Sequence, residues 1–158
     1  NKKILNKTYE TELDDETTAE YLCKNNQLIG AVLLSDFLRK NAVDVILNLK
    51  AMNVTPILMS GDNKNTTRNI AAKAGIDNYK YDCLPEDKSN YIKELQLNDK
   101  KVAMIGDGLN DAPSLKKANV GISMGSIGSD ISIEASNITL IHDNISDLPI
   151  YLNYQERL

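Results

Sequence analysis

The sequence contains no tryptophan, one phenylalanine and one histidine among its 158 residues. Proteins that bind nucleic acid combine a basic surface with aromatic side chains that stack on bases, whereas this chain has a net charge of −4. We therefore predict that it has no nucleic-acid partner. The single histidine, His142, also leaves any zinc site built from cysteine and histidine short of ligands.

Cysteines and long apolar runs are scarce as well. Cys23 and Cys83 are the two cysteines, and they show no Cys-x-x-Cys spacing, so a reduced cytoplasmic protein is favoured over a disulfide framework. No apolar run reaches the roughly 18 residues that a membrane-spanning helix needs, and no secretory signal pattern is visible. With 42% hydrophobic and 25% charged residues, we expect these residues to form one soluble globular domain.

From about residue 28 onward, short apolar runs alternate with segments of helical periodicity. The pattern predicts strands in residues 28–34, 55–59, 79–84, 101–105, 120–123 and 138–141. Helices are predicted between them, around residues 42–49, 63–74, 85–95, 110–117 and 129–135. Such alternation indicates an α/β fold, in which a mostly parallel sheet carries helices on both faces.

Unusual polar residues follow two of the predicted strands. Ligands of open parallel sheets bind where the strands end at their carboxyl side. The tripeptide Ser60-Gly-Asp follows the strand at 55–59, and Gly-Asp-Gly-Leu-Asn-Asp at 106–111 follows the strand at 101–105. Between them, Pro-Glu-Asp-Lys at 85–88 opens a helix and supplies a lysine.

The segment at 106–111 has the composition of a metal site. Its glycines allow a tight turn after the strand, and Asp107 and Asp111 place two carboxylates near one helix start, with Asn110 beside them. Oxygen ligands of this kind suit Mg²⁺. The alternative interpretation is an ordinary turn in which Asp111 caps the following helix.

The segments at 60–62 and 85–88 also allow both a functional and a purely structural interpretation. The Ser60 hydroxyl and the backbone N–H groups after it could hold a phosphate at a helix start, or Asp62 could simply cap that helix. Lys88 would be a solvated surface lysine in most proteins. It could instead offset the negative charge of a transferring phosphoryl group.

Together, these three elements resemble the haloacid dehalogenase superfamily, and more closely its P-type cation-transporting ATPase branch. The similar stretch runs from about residue 28 to residue 148. The resemblance implies a Rossmann-like haloacid dehalogenase-type sheet and a reaction through an aspartyl phosphate. It also implies the site residues: Ser60 (usually Thr in the family), Gly61 and Asp62 on the phosphoryl group, Lys88 neutralising the phosphoaspartate, Asp107 and Asp111 on Mg²⁺, and Asn110 in the supporting shell.

Further similarities concern the branch and the domain boundaries. Asp36 and Arg39 resemble the hinge to a nucleotide-binding domain, which makes them candidate nucleotide contacts together with Asp62. Residues 124–130 (Met-Gly-Ser-Ile-Gly-Ser-Asp) are similar to the heavy-metal branch and favour its zinc, cadmium and lead members. The resemblance implies that residues 1–30 end a nucleotide-binding domain. Residues 31–150 would then form the phosphorylation domain, and residues 151–158 would begin a connection to the membrane region.

The family's Asp-Lys-Thr-Gly-Thr motif, which carries the phosphorylated aspartate, is absent from these residues. We therefore expect a sheet without its central nucleophile strand and a chain that is inactive alone. The parent would be a cation pump that uses ATP and Mg²⁺, with this chain on the cytoplasmic side and the nucleotide-binding, actuator and membrane domains as partners. Asp36 follows a strand but lacks the second acid that soluble phosphatases of the superfamily use. Such a phosphatase, and a non-catalytic α/β module that binds Mg²⁺ or nucleotide, are the two alternatives.

Overall fold

The structure is a computed structural model that describes residues 17–25, 27–35, 38–107, 109–125, 130–141 and 144–155. The chain divides into two compact units, Asn1–Arg39 and Lys40–Leu158. No helix in the described part of the chain combines the length and the apolar character needed to cross a membrane.

The described part of the first unit is an antiparallel hairpin of β1 (Thr17–Lys24) and β2 (Gln27–Ser35). Asn25, in the turn, has a φ of 49°, a left-handed conformation that asparagine tolerates better than most residues. The hairpin confirms the strand predicted at 28–34. The assignment of residues 1–30 to a nucleotide-binding domain stays a prediction.

The second unit alternates helices and strands, as predicted. Its described elements are α1 (Ala42–Ala51), β3 (Ile57–Met59), α2 (Lys64–Ala74), β4 (Asn78–Lys80), α3 (Pro85–Leu97), β5 (Ala103–Gly106), α4 (Ala112–Lys117), β6 (Val120–Met124), α5 (Asp130–Glu134), β7 (Ile138–Leu140) and α6 (Leu148–Gln155). Single 3₁₀ turns precede α4 (Leu109–Asp111) and α6 (Ile145–Asp147).

The strands of this unit form two parallel sheets. β3 pairs with β4, with Ile57 opposite Asn78, while β5 pairs with β6 and β6 pairs with β7. Within the described residues, β3 and β5 each have a ladder partner on one side only. Ile105, on β5, is 39% exposed, so part of this strand is uncovered. The expectation that the sheet lacks a central nucleophile strand stays a prediction.

Helices cover both faces of the three-stranded sheet. Ile122 and Met124 point to one face and pack with α1 and α6 in a cluster completed by Val45, Leu49, Leu140 and Leu148. Gly121 points to the other face, where an added Cβ would lie 2.5 Å from the Leu115 carbonyl oxygen of α4. The close approach of α4 therefore depends on a residue without a side chain. The predicted two-sided covering of the sheet is confirmed.

The predicted strand at 79–84 is wrong in its second half, since β4 ends at Lys80. Asp82 takes a φ of 51°, and its N–H donates to the Asp62 carbonyl at 2.8 Å. The Cys83 N–H donates to the Ser60 carbonyl at 2.9 Å. Because these backbone groups bond to the loop after β3, the chain leaves the sheet early and wraps around that loop before α3 begins.

Candidate functional site

Lys88, in the first turns of α3, forms an ion pair with Asp111 across 23 residues of sequence. Its Nζ lies 2.8 Å from Asp111 Oδ1, and the two side chains are only 16% and 12% exposed. Pro85 starts α3, and the Asp87 carboxylate accepts a hydrogen bond from the Leu84 N–H at 2.9 Å, which fixes the helix start. The interpretation of Lys88 as a solvated surface lysine is therefore wrong.

Additional contacts between α3 and α4 fix the geometry of this pair. Ser89 and Ser114 share a hydroxyl–hydroxyl hydrogen bond of 3.0 Å, and Ser114 is fully buried. Further along α3, Gln96 donates to the Lys117 carbonyl at 3.0 Å and to Asn119 Oδ1 at 3.2 Å. These contacts could not be predicted from the sequence, because a serine or glutamine within a helix gives no sign of which neighbour it will meet.

Asp111 also packs against the end of β5. It occupies the cap position of α4, but its side chain makes no capping hydrogen bond. An added Cβ on Gly106 would lie 2.6 Å from Asp111 Cβ, which is too close for any real pair of atoms. Gly106 has no left-handed φ, so its role is to make room for Asp111 rather than to allow a tight turn. The interpretation of Asp111 as a simple cap is wrong as well.

Asp107 and Asn110 flank this contact. Asp107 directly follows β5 at its carboxyl end, and Asn110 lies in the 3₁₀ turn; both are exposed. Among the described residues, no group of three or more His, Cys, Asp or Glu side chains could hold a metal ion. An Mg²⁺ that keeps several waters and takes a phosphate oxygen needs only one or two protein carboxylates, which the exposed Asp107 fits. Since Asp111 is engaged by Lys88, the assignment of both aspartates as metal ligands stays a prediction.

The loop after β3 holds Ser60 from several sides. Its N–H donates to the Lys80 carbonyl at 3.0 Å, and its carbonyl accepts the Cys83 N–H. Its hydroxyl donates to Asp62 Oδ2 at 2.6 Å, while the Asp62 N–H donates to Ser60 Oγ at 3.1 Å. Gly61 lies between them, with room for a Cβ at an ordinary 3.5 Å from the Cys83 carbonyl oxygen.

The cap of α2 is Asn63, whose side chain accepts the N–H groups of Asn65 and Thr66 at 3.0 and 3.1 Å. The predicted helix start at residue 63 is therefore one residue early, and the interpretation of Asp62 as the cap is wrong. With the cap supplied by Asn63, the Asp62 carboxylate turns back to Ser60 instead.

A haloacid dehalogenase-like hydrolase model matches residues 1–119, most of the chain that contains these contacts. The chain belongs to the haloacid dehalogenase-like hydrolase family. A copper-exporting P-type ATPase of Staphylococcus aureus (strain bovine RF122 / ET3-1) is 42% identical over 135 residues, which cover 85% of this chain and 17% of that protein. The chain thus spans less than a fifth of the length of this curated relative.

Solved structures of heavy-metal P-type ATPases are also similar to this chain. A zinc-transporting PIB-type ATPase in the E2.Pi state is 35% identical with a TM-score of 0.72, and the match covers 85% of this chain and 22% of that one. The catalytic domain of the CPx-ATPase CopB-B, in a study of nucleotide binding, is 32% identical with a TM-score of 0.72 and coverages of 87% and 58%. The predicted resemblance to heavy-metal P-type ATPases is confirmed.

The structure describes two of the three residues that were predicted to contact a nucleotide. Asp36 lies outside the described residues. Arg39 is described and exposed, in the first unit of the chain, and Asp62 belongs to the Ser60 loop. A role in nucleotide binding for these three residues stays a prediction.

Cys83 lies between the Ser60 loop and Lys88. Partial burial raises the pKa of the Cys83 thiol above its ordinary value, and the nearby Asp87 carboxylate raises it further. The charges of Lys88 and Lys80 and a backbone hydrogen bond from Ser60 act in the opposite direction. The positive charge at position 88 therefore lowers the pKa of the Cys83 thiol and opposes the net upward shift.

Replacing Lys88 with Ala is accordingly expected to raise the pKa of Cys83 further, because an opposing positive charge is lost. The measurement is the rate of Cys83 alkylation by iodoacetamide against pH, resolved from Cys23 by peptide mass spectrometry. The midpoint should shift upward in Lys88→Ala and in Lys80→Ala. It should stay in place in Lys93→Ala, an exposed lysine of the same helix. A midpoint that falls or stays unchanged in both site variants would contradict the placement of Lys88 beside Cys83.

Proposed function

We propose that this chain is the phosphate-handling part of the phosphorylation domain of a heavy-metal-transporting P-type ATPase, which works through an aspartyl phosphate. One observation carries the proposal. The Lys88–Asp111 ion pair joins α3, which follows β4, to the turn after β5, and the Ser60–Asp62 hydrogen bonds lie directly after β3. The matches to heavy-metal pumps support the same conclusion.

The contacts suggest a role for each group. The Gly61 N–H would hold an oxygen of the phosphoryl group, as would the Ser60 hydroxyl once its single proton turns from Asp62 to the ligand, and the Lys88 ammonium would stabilise the phosphoryl charge. Asp111 would orient Lys88, and Asp107 would hold Mg²⁺ with Asn110 nearby. When bound, Mg²⁺ supplies positive charge to the phosphoryl oxygens. In this scheme the protein acts by positioning and by electrostatic stabilisation, which is how phosphoryl transfer is usually catalysed.

We propose that the strand that ends in the phosphorylated aspartate adds between β3 and β5, which are edge strands of two separate parallel sheets. Both bordering strands belong to parallel sheets, and each has an edge without a ladder partner among the described residues. Unpaired backbone groups favour the addition of a strand. A parallel strand placed there would end beside Ser60 and Lys88, so its terminal aspartate would be the nucleophile rather than Asp36.

The remaining partners follow from the proposed parent. ATP would be the phosphoryl donor, and the nucleotide-binding, actuator and membrane domains of the pump would surround this chain on the cytoplasmic side. The named relatives transport copper and zinc. The preference for zinc, cadmium or lead, based on residues 124–130, stays a prediction.

The chain alone tests this proposal against both alternatives. With Mg²⁺ it is expected to hydrolyse no para-nitrophenyl phosphate, because the nucleophile is not among its residues. Isothermal titration calorimetry is expected to show at best millimolar affinity for Mg²⁺ and no micromolar binding of ATP. Ester hydrolysis that Asp36→Asn abolishes would identify a soluble phosphatase. Micromolar ATP binding without hydrolysis would instead favour a nucleotide-binding module.

A further inference from the structure

Asp62 forms a closed pair of hydrogen bonds with Ser60 that no helix cap requires. The Ser60 hydroxyl donates to its carboxylate at 2.6 Å, and its N–H donates back to Ser60 Oγ at 3.1 Å. Asn63 already caps α2, so the Asp62 side chain is not needed there. We infer that Asp62 is a positioning residue, which fixes the side-chain rotamer of Ser60 and does not itself touch the phosphate. This inference rests on the proposed function only for the identity of the anion.

The backbone around Ser60 is already fixed. The Ser60 N–H, the Ser60 carbonyl and the Asp62 carbonyl are all engaged in hydrogen bonds with the segment at 80–83. The remaining freedom at this position is rotation about χ1 and about the hydroxyl bond. A serine side chain has three staggered χ1 rotamers, whereas the extra methyl group of a threonine restricts χ1 by itself. Serine at position 60 therefore depends on outside constraints: the Asp62 N–H holds Oγ, and the Asp62 carboxylate holds the hydroxyl proton.

A positioning role for Asp62 and the absence of such a role make opposite predictions for phosphate binding. Asp62 is exposed and negatively charged, so without its hold on Ser60 it would only repel a bound anion. Its removal would then strengthen phosphate binding. If the Asp62 carboxylate fixes the rotamer, its removal leaves only the Asp62 N–H bond on Ser60 Oγ, lets Ser60 visit up to three rotamers and weakens phosphate binding by up to about threefold. A threonine at position 60 should cancel most of this loss.

The test is a double-mutant cycle of Asp62→Ala and Ser60→Thr in the 158-residue chain, with inorganic phosphate and Mg²⁺ as the probe. Binding is followed through the amide signals of Ser60 and Gly61 in NMR titrations. Asp62→Ala is expected to lower the phosphate affinity by up to about threefold with serine at position 60, and by much less with threonine. Asp62→Asn, which keeps an acceptor, should recover part of the loss. Glu86→Ala, which removes an exposed charge at the start of α3, is the matched charge control.

A second measurement tests the positioning role of Asp62 without phosphate. The Hα–Hβ coupling constants of Ser60 should report one dominant χ1 rotamer in the unaltered chain and averaged rotamers in Asp62→Ala. Averaged couplings in both proteins, or equal losses of affinity in both backgrounds, would overturn the positioning role. If phosphate shifts no signal at Ser60 or Gly61 while the couplings behave as expected, the phosphate assignment fails and the positioning role stands.

Discussion

Replacing Lys88 with Ala is expected to slow phosphoryl transfer by about 100-fold in a longer protein that joins this chain to an Asp-Lys-Thr-Gly-Thr segment, because the lysine acts on charge that develops during transfer. ATP affinity should change far less, since the lysine contributes little to ground-state binding. Rapid-quench measurement of phosphoenzyme formation from labelled ATP separates the two effects. Lys88→Arg keeps the charge and should retain more of the rate than Lys88→Ala.

The same substitution also tests the ion pair. Lys88→Ala leaves the Asp111 carboxylate, 12% exposed, without its partner, so a loss of about 3 kcal/mol in the free energy of unfolding is expected. Asp111→Asn in the Lys88→Ala background should recover part of this stability, because it removes the uncompensated charge. Equal phosphorylation rates and equal unfolding free energies for Lys88→Ala and the unaltered protein would show that Lys88 has neither role.

Gly106→Ala is expected to destabilise the chain by about 1–3 kcal/mol and to displace Asp111 from Lys88. The added Cβ would lie 2.6 Å from Asp111 Cβ and 2.9 Å from its carboxylate, so α4 or the end of β5 must shift. Urea unfolding gives the change in stability. Gly61→Ala is the matched control, because its Cβ would meet only the Cys83 carbonyl oxygen at an ordinary 3.5 Å, and it should stay within about 1 kcal/mol of the unaltered chain.

The position of Lys88 in Gly106→Ala is a second readout. The pKa of Cys83 responds to the Lys88 charge, so its alkylation profile should change if the pair separates. A variant that unfolds with unchanged free energy and keeps its Cys83 profile would show that Gly106 can accept a side chain. The close packing of Asp111 on β5 would then be unnecessary for the site.

The α/β architecture was predictable because buried parallel strands and amphipathic helices have different hydrophobic periods. The predicted runs at 55–59, 101–105 and 120–123 each overlap a strand of the structure. β4 was predicted too long, since the turn at Asp82 is held by backbone bonds to the loop after β3, which lies far away in sequence. Periodicity carries no information about such contacts.

The candidate site was predictable as a set of residues but not as a set of contacts. A sequence such as Ser-Gly-Asp-Asn offers several good helix caps, and propensity alone cannot choose Asn63 over Asp62. Only the direction of the Asp62 side chain shows that it bonds to Ser60. The need for a glycine at position 106 likewise depends on Asp111, whose approach is set by the packing of α4.

Transfer of labelled γ-phosphate from ATP to the longer protein is the most direct test of the proposed function. The label is expected on the aspartate of the Asp-Lys-Thr-Gly-Thr segment. It should be sensitive to hydroxylamine, as an acyl phosphate is, and be strongly reduced by Lys88→Ala. Peptide mapping after borohydride reduction locates the labelled residue. Label on Asp36 or on any other residue of this chain, or a protein that binds ATP and Mg²⁺ but never becomes labelled, would contradict the assignment of this chain as a phosphorylation domain.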